Sequence, residues 1–218
     1  MLDTDHGSET GTRMTTRDRS PLRVDRHQRA EETREELLRA AVRLFSRNGY
    51  HATSVQQITA AANVSKGAFY YHFETKDDVL IAVHEIFIDS ELRATRQIVE
   101  RGLPAPRTLG LLMEELAASF DTYASEITIF FRERHYLSGP AFRSIRRKRD
   151  EVEKMVVDVI ERGVRDGEFK PVVSARLAAF GAIAMGAWLH QWYVPGGSMT
   201  AREVGRMYAT MLIEGLAT

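Results

Sequence analysis

From Glu31 onward, large apolar side chains recur three or four residues apart, in runs separated by glycine, asparagine or proline. That period is the one a helix needs to present a single apolar stripe, and it persists to the end of the chain. In the first run, Leu37, Leu38, Ala41, Val42, Leu44 and Phe45 form the stripe. Glu31, Glu32, Glu35 and Glu36 lie near its start and Arg39, Arg43 and Arg47 near its end, the polarity that the helix dipole favours. Asn48-Gly49 stops it. After a break at 102–106, which carries two prolines and a glycine, the period resumes over roughly 107–123, 126–137, 141–166, 174–193 and 200–216. No convincing alternating strand and no internal repeat interrupts the pattern. The expected fold class is all-α.

Composition narrows the function classes. An apolar fraction of 44% with 28% charged residues allows a packed soluble core. Net charge is zero, so any sign of a nucleic-acid partner has to be local. Cysteine is absent, which removes disulfides, thiolate metal sites and a cysteine nucleophile. His6, His27, His51, His72, His84, His135 and His190 are scattered without metal-ligand spacing. There is no G-x-S-x-G elbow, H-E-x-x-H pair or phosphate loop. No catalytic residue, metal or cofactor is therefore expected. No apolar run approaches the roughly 20 residues that cross a bilayer, and the polar N-terminus lacks the middle of a secretory signal. A soluble cytoplasmic protein without membrane contact is expected.

Residues 1–29 are poor in large apolar side chains and rich in arginine toward their end. They are expected to form a flexible basic tail, either a solvated arm or one that reaches DNA phosphates. Residues 30–77 then have the layout of a helix-turn-helix domain. Thr53 is expected as the N-cap of a short helix, with Gln56 completing a capping box. Asn63 suits a sharp turn, and Ser65 caps a second short helix to about Phe73. Thr75 caps the helix after that.

The stretch NVSKGAFYYHFETKDDV at 63–79 carries the functional signal. On a helix over 65–73, Ala68 and Phe69 face inward and Phe73 closes the end, while Lys66, Gly67, Tyr70 and Tyr71 face out. Gly67 costs roughly 1 kcal/mol against alanine in a helix, which makes sense if a DNA strand has to approach closely. The phenols and the imidazole of His72 can donate to phosphate oxygens. Lys76 opposes the dipole at the start of the next helix, a position that a passing phosphate would favour.

Residues 52–80, ATSVQQITAAANVSKGAFYYHFETKDDVL, with the preceding ELLRAAVRLFSRNGYHATSV, resemble the DNA-binding segment of the TetR family of bacterial repressors. The resemblance implies an all-helical homodimer with an N-terminal helix-turn-helix domain and a larger C-terminal domain, here 78–218, for ligand binding and dimerisation. By position it implies DNA contacts from Thr53, Ser65, Lys66, Gly67, Tyr70, Tyr71, His72 and Lys76, with Gln56, Asn63 and Ala68 beside base edges. The expected partners are a double-stranded operator and a small-molecule effector.

In the second half, small residues such as Gly181, Ala182 and Gly186 alternate with bulky Met185, Trp188, Trp192 and Tyr193. Helices over 174–193 and 200–216 are expected to meet their copies in a four-helix dimer contact. Over 129–155, arginines crowd beside phenylalanines. They form either a solvated face or an apolar tunnel with a cationic mouth, which suits a greasy ligand with an anionic head. Residues 126–215 also resemble TetR regulators of lipid and sterol-side-product breakdown, some of which respond to acyl-coenzyme A. The resemblance rests on Trp192-Tyr193, Pro195-Gly196-Gly197 and the Arg162–Phe169 ending. Gln191 stands where that group is expected to carry arginine. The expected ligand set is Tyr123, Phe130, Phe131, Arg132, His135, Arg146, Met185, Trp188, Gln191 and Trp192. A planar apolar drug held by Trp188, Phe131 and Tyr123 is the alternative effector.

Overall fold

The structure, a computed structural model, describes residues 21–171 and 174–216, without the side chains of 21–26, 135, 140 and 141. Every element of regular secondary structure among them is helical: α1 (Pro21–Asn48), α2 (Val55–Ala62), α3 (Lys66–His72), α4 (Lys76–Glu100), α5 (Ala105–Glu133), α6 (Gly139–Arg165), α7 (Ala175–Ala187), α8 (Leu189–Trp192) and α9 (Ala201–Leu216). Residues 21–29, expected in the flexible tail, belong to α1. Residues 1–20 lie outside the described residues.

α1, α2 and α3 pack around Leu37, Ala41, Phe45, Ile58, Phe69 and Phe73, with Val79, Leu80 and Val83 of α4 completing the cluster. The α2 cap differs from expectation by one residue. Ser54, not Thr53, is the N-cap, and its hydroxyl accepts from the Gln57 amide while the Gln57 side chain accepts from the Ser54 amide. Thr53 is buried, and its hydroxyl donates to the Gly49 carbonyl at 2.8 Å, closing the end of α1. Asn63 takes the left-handed conformation (φ 55°) that ends α2, as its short polar side chain permits. Ser65 caps α3 by accepting from the Ala68 amide.

In the second half, α9 lies along α5, close enough that a Cβ on Gly205 would stand 2.7 Å from the Met113 carbonyl oxygen. A side chain there would force the two backbones apart. Two helices were expected over 107–123 and 126–137. One helix runs through instead, kinked where Tyr123 leaves helical geometry (φ −118°, ψ 25°). The far end of α5 then reaches back to α1. Arg132 donates to the Phe45 and Ser46 carbonyls, and Glu133, buried, accepts from Arg132 at 2.7 Å and from the Tyr50 amide at 3.4 Å. α4 thus leaves the N-terminal cluster and forms a wall of the larger domain, packed against α5 and α6.

Candidate functional site

The outward face of the N-terminal domain is built on α3. Phe69 and Phe73 are fully or nearly fully buried, which fixes the helix on the cluster below it. That orientation leaves Tyr71 77% exposed and Tyr70 51% exposed, large aromatic surface left open by the described residues. Lys66 lies 5.9 Å above the Tyr70 ring, a cation held over an aromatic face. Gln56, Ser65 and Gly67 are exposed beside them. A Cβ on Gly67 would touch only the Ser65 hydroxyl oxygen, at 3.7 Å, so no internal contact requires glycine. His72 is half-buried, and burial with the Arg34 charge holds its pKa below the usual histidine range. It is a neutral donor near pH 7.

Two expected DNA contacts turn inward. Thr53 serves the end of α1, as described. Lys76 donates to the Tyr50 carbonyl at 2.8 Å and the Thr53 carbonyl at 2.7 Å, and lies 4.2 Å above the Tyr50 ring. The Tyr50 hydroxyl in turn donates to Asp77, and burial with that carboxylate raises its pKa. Two of the three N–H donors of the Lys76 ammonium at the start of α4 are therefore taken by backbone carbonyls. The sequence period could not reveal this, because the accepting carbonyls belong to a bend more than twenty residues upstream.

Beneath this domain, α4, α5, α6 and α7 enclose a cavity with two chambers. The larger, of about 420 Å³, is lined by Phe87, Phe120, Phe130, Phe131, Phe142 and Phe180, with Arg134, Arg146 and Arg149 among its walls. The Arg149 guanidinium lies 4.7 Å above the Phe130 ring. The smaller chamber, of about 230 Å³, carries Ser90, Thr95, Ser119, Thr122 and Tyr123 among aliphatic side chains. Glu91, Leu116, Ser119, Val152 and Ile183 line both. Burial pushes Glu91 up to about 7, with the Arg149 charge pulling the other way. His84 is fully buried with neither ring nitrogen hydrogen-bonded, edge-on to Phe130 at 5.1 Å, and desolvation drives it down to about 3. It is a neutral ring in the packing above the chamber.

Of the expected ligand residues, Phe130, Phe131 and Arg146 line the larger chamber and Tyr123 the smaller. Arg132 does not. Its guanidinium is spent on the α1 carbonyls. Met185, Gln191, Trp188 and Trp192 line neither chamber, and the two tryptophans are 60% and 48% exposed on the outer side of α7 and α8. The His135 side chain lies outside the described residues. Glu91 was missed, and Arg134 and Arg149 belonged to the basic run at 129–155 without being placed in the expected ligand set. Glu91 had a readable signal, since it falls four residues after Phe87 and three after Ile88, on the apolar stripe of α4.

Residues 37–83 match the tetR family of bacterial regulatory proteins, and residues 102–216 match the tetracyclin repressor-like C-terminal domain. The chain is 32% identical over 187 residues to the HTH-type transcriptional repressor KstR2 of Rhodococcus jostii, covering 85% of this chain and 91% of that protein. KstR2 of Mycobacterium tuberculosis is 31% identical over 186 residues, 84% of this chain and 92% of that one. The solved structure of the latter, a ketosteroid transcriptional regulator, superposes with a TM-score of 0.77 at 28% identity, covering 85% of this chain and 95% of that one. AibR in complex with isovaleryl coenzyme A and operator DNA shares the fold at a TM-score of 0.74 and 22% identity, over 83% and 98% of the two chains. With both halves matched and the helix-turn-helix face in place, the chain belongs to the TetR family: it is a ligand-responsive, DNA-binding transcriptional regulator and not an enzyme.

Proposed function

We propose that the protein is a homodimeric repressor that releases a palindromic operator when an acyl-coenzyme A or similar greasy anion enters the cavity. The observation that carries the ligand class is the larger chamber. Six phenylalanines accommodate an apolar body, and Arg134 and Arg149, which make no close ion pair among the described residues, offer cations to an acidic head. Arg146 is shared with Asp150 at 4.0 Å, and Glu153 stands on the same wall. The KstR2 and AibR descriptions support the same reading. Gln56, Ser65, Lys66, Gly67, Tyr70, Tyr71 and His72 form the DNA face, with 30–77 as the domain that carries it and 78–218 as the domain that senses the ligand. Dimerisation is supported by Leu177, Trp188, Met207 and Met211, all more than half exposed on α7, α9 and the turn between α7 and α8. Two copies of α3 about 34–36 Å apart would enter successive major grooves.

α4 links ligand to operator in this reading. It carries Phe87, Ile88 and Glu91 on the cavity wall, and its first residue, Lys76, grips the carbonyls beside α2. A ligand that pushes α4 outward moves the two α3 helices relative to each other, by no more than its preference for the moved state.

The test is fluorescence anisotropy with labelled DNA from upstream of the protein's own gene, with and without a panel of acyl-coenzyme A thioesters. Tight, sequence-dependent binding that at least one thioester weakens tenfold is expected. Equal binding to random DNA at moderate salt would sink the operator reading, and indifference to the whole panel would sink the ligand class. The planar drug reading loses one of its three anchors, because Trp188 lies outside both chambers while Phe131 and Tyr123 line them.

A further inference from the structure

A cavity selected only to hold a hydrocarbon would carry leucine or methionine along the stripe of α4 that faces it. This one carries Glu91, on the wall common to both chambers, and among the described residues the carboxylate makes no hydrogen bond or close ion pair. An unpaired carboxylate on a cavity wall is costly, and a hydrogen bond from a bound ligand lowers that cost. The two chambers differ on either side of it. The larger is aromatic. The smaller brings hydroxyls to the same place: Tyr123 donates to Ser90 at 3.3 Å, which leaves the Ser90 proton for another acceptor, and Ser119 stands on the shared wall with its own proton given to the Leu116 carbonyl at 2.7 Å. Each of these oxygens keeps a lone pair for a further donor.

We propose that Glu91 is a specificity-determining residue that accepts a hydrogen bond from a hydroxyl on the apolar body of the effector, with Ser90 and Ser119 beside it, so that the protein answers to a hydroxylated hydrophobe and discriminates against the plain hydrocarbon. A hydroxyl is chosen over an ammonium because the Arg149 charge already acts on the Glu91 carboxylate, so that what the carboxylate lacks is a hydrogen bond and not a further cation. The discrimination is of the stronger kind. A site built to hydrogen-bond a hydroxyl rejects the analogue lacking it, because its buried polar group is then left unpaired, whereas an apolar pocket hardly rejects an added hydroxyl. Raising Glu91 to about 7 is what such enclosure does to a carboxylate, and it agrees with the geometry.

The inference rests on the cavity being the effector site. The experiment is isothermal titration of the full-length protein with decanoyl-coenzyme A and its 5-, 7- and 9-hydroxy derivatives, and in parallel with the four free acids. The wild type is expected to bind its best hydroxy isomer at least tenfold more tightly than the plain chain. In Glu91→Leu that ratio should fall to about one, with the plain chain binding more tightly than to the wild type, while Glu91→Gln keeps part of the preference. Thermal melting of both variants establishes that they fold, and Glu91→Gln carries the test if the leucine variant does not. Equal affinity of the wild type for every isomer and the plain chain, or an unchanged ratio in Glu91→Leu, overturns the role of Glu91 and leaves the thioester reading standing. Binding of free acids alone overturns the thioester head while the ratio still judges Glu91. No binding of any compound overturns both.

Discussion

The outer face of α3 and the inner face of α4 both carry polar groups on an otherwise apolar framework, but they do so under opposite conditions. Tyr70 and Tyr71 present much of their rings to water, and their internal contacts are limited to edge-on packing against Phe69 and His72 and the Lys66 charge above Tyr70. Glu91 is enclosed, and its carboxylate stands well above the usual acidic range because burial penalises the charge. The first face is therefore free to be optimised for a partner without a stability cost. The second carries a folding cost in the empty protein that a ligand can relieve. Function on the outside should separate cleanly from stability, and function on the inside should not.

The largest expected effect tests the first half of that contrast. Replacing Tyr70 and Tyr71 together with alanine should weaken operator binding by about a hundredfold or more, because each removed phosphate or base contact is worth about 1–3 kcal/mol. The melting temperature should stay within a degree or two of the wild type. A marked loss of stability would place these rings in the fold's own interior economy and break the contrast. Lys76 should behave in the opposite way. Lys76→Met removes two charge-assisted hydrogen bonds to the Tyr50 and Thr53 carbonyls, at a cost of about 2 kcal/mol in unfolding free energy measured by denaturant titration. Operator affinity measured on the folded fraction should fall far less than in the tyrosine variant.

The inner face is tested by pH. Glu91 has a folded pKa of about 7 against an ordinary value of 4.5, so the folded protein takes up this proton before the unfolded chain does. Its stabilising contribution is present at acid pH and lost as pH rises from about 4.5 through 7. Glu91→Gln should accordingly be more stable than the wild type at pH 8, by about 1–2 kcal/mol after allowance for water in the cavity, and show no advantage near pH 4.5. His84 is driven the other way, down to about 3, so both proteins weaken together below pH 6.5 and only their difference reports on Glu91. A pH-independent difference would mean that the carboxylate is not enclosed in solution.

How far the sequence foretold each face follows from the same contrast. Helix periodicity is local, so the helices, the turn at Asn63 and the outward set around Gly67 could all be found from spacing and from the resemblance at 52–80. Cap assignment failed by one position, because Thr53 and Ser54 are both good caps and only the packing of α1 decides which is buried. Lys76 and Arg132 were misread for a shared reason: each ends on backbone carbonyls distant in sequence, and no side-chain pattern announces a carbonyl acceptor. The aromatic residues of α7 and α8 drew attention by size, yet the walls of the cavity are made by α4, α5 and α6 as well, and a wall requires knowing which helices meet. Trp188 and Trp192 went outside, where a second copy of the chain is the proposed neighbour.

The smallest effect gives the sharpest form of the contrast, because it should carry opposite signs in two assays. Gly67 is the second residue of α3, its φ is not in the left-handed region, and a Cβ there would meet only the Ser65 hydroxyl at ordinary contact distance. Gly67→Ala should then stabilise the protein by about 0.5 kcal/mol, since alanine loses less backbone entropy on entering a helix. The same methyl group projects from the exposed side of α3 toward the space a DNA strand would occupy, and operator affinity should drop by about threefold to tenfold. A gain in stability accompanied by a loss in binding has no explanation inside the monomer and requires a partner pressed against that face. If the variant binds as well as the wild type, glycine is there for some other reason, and the approach of DNA to this helix is less close than its bare surface suggests.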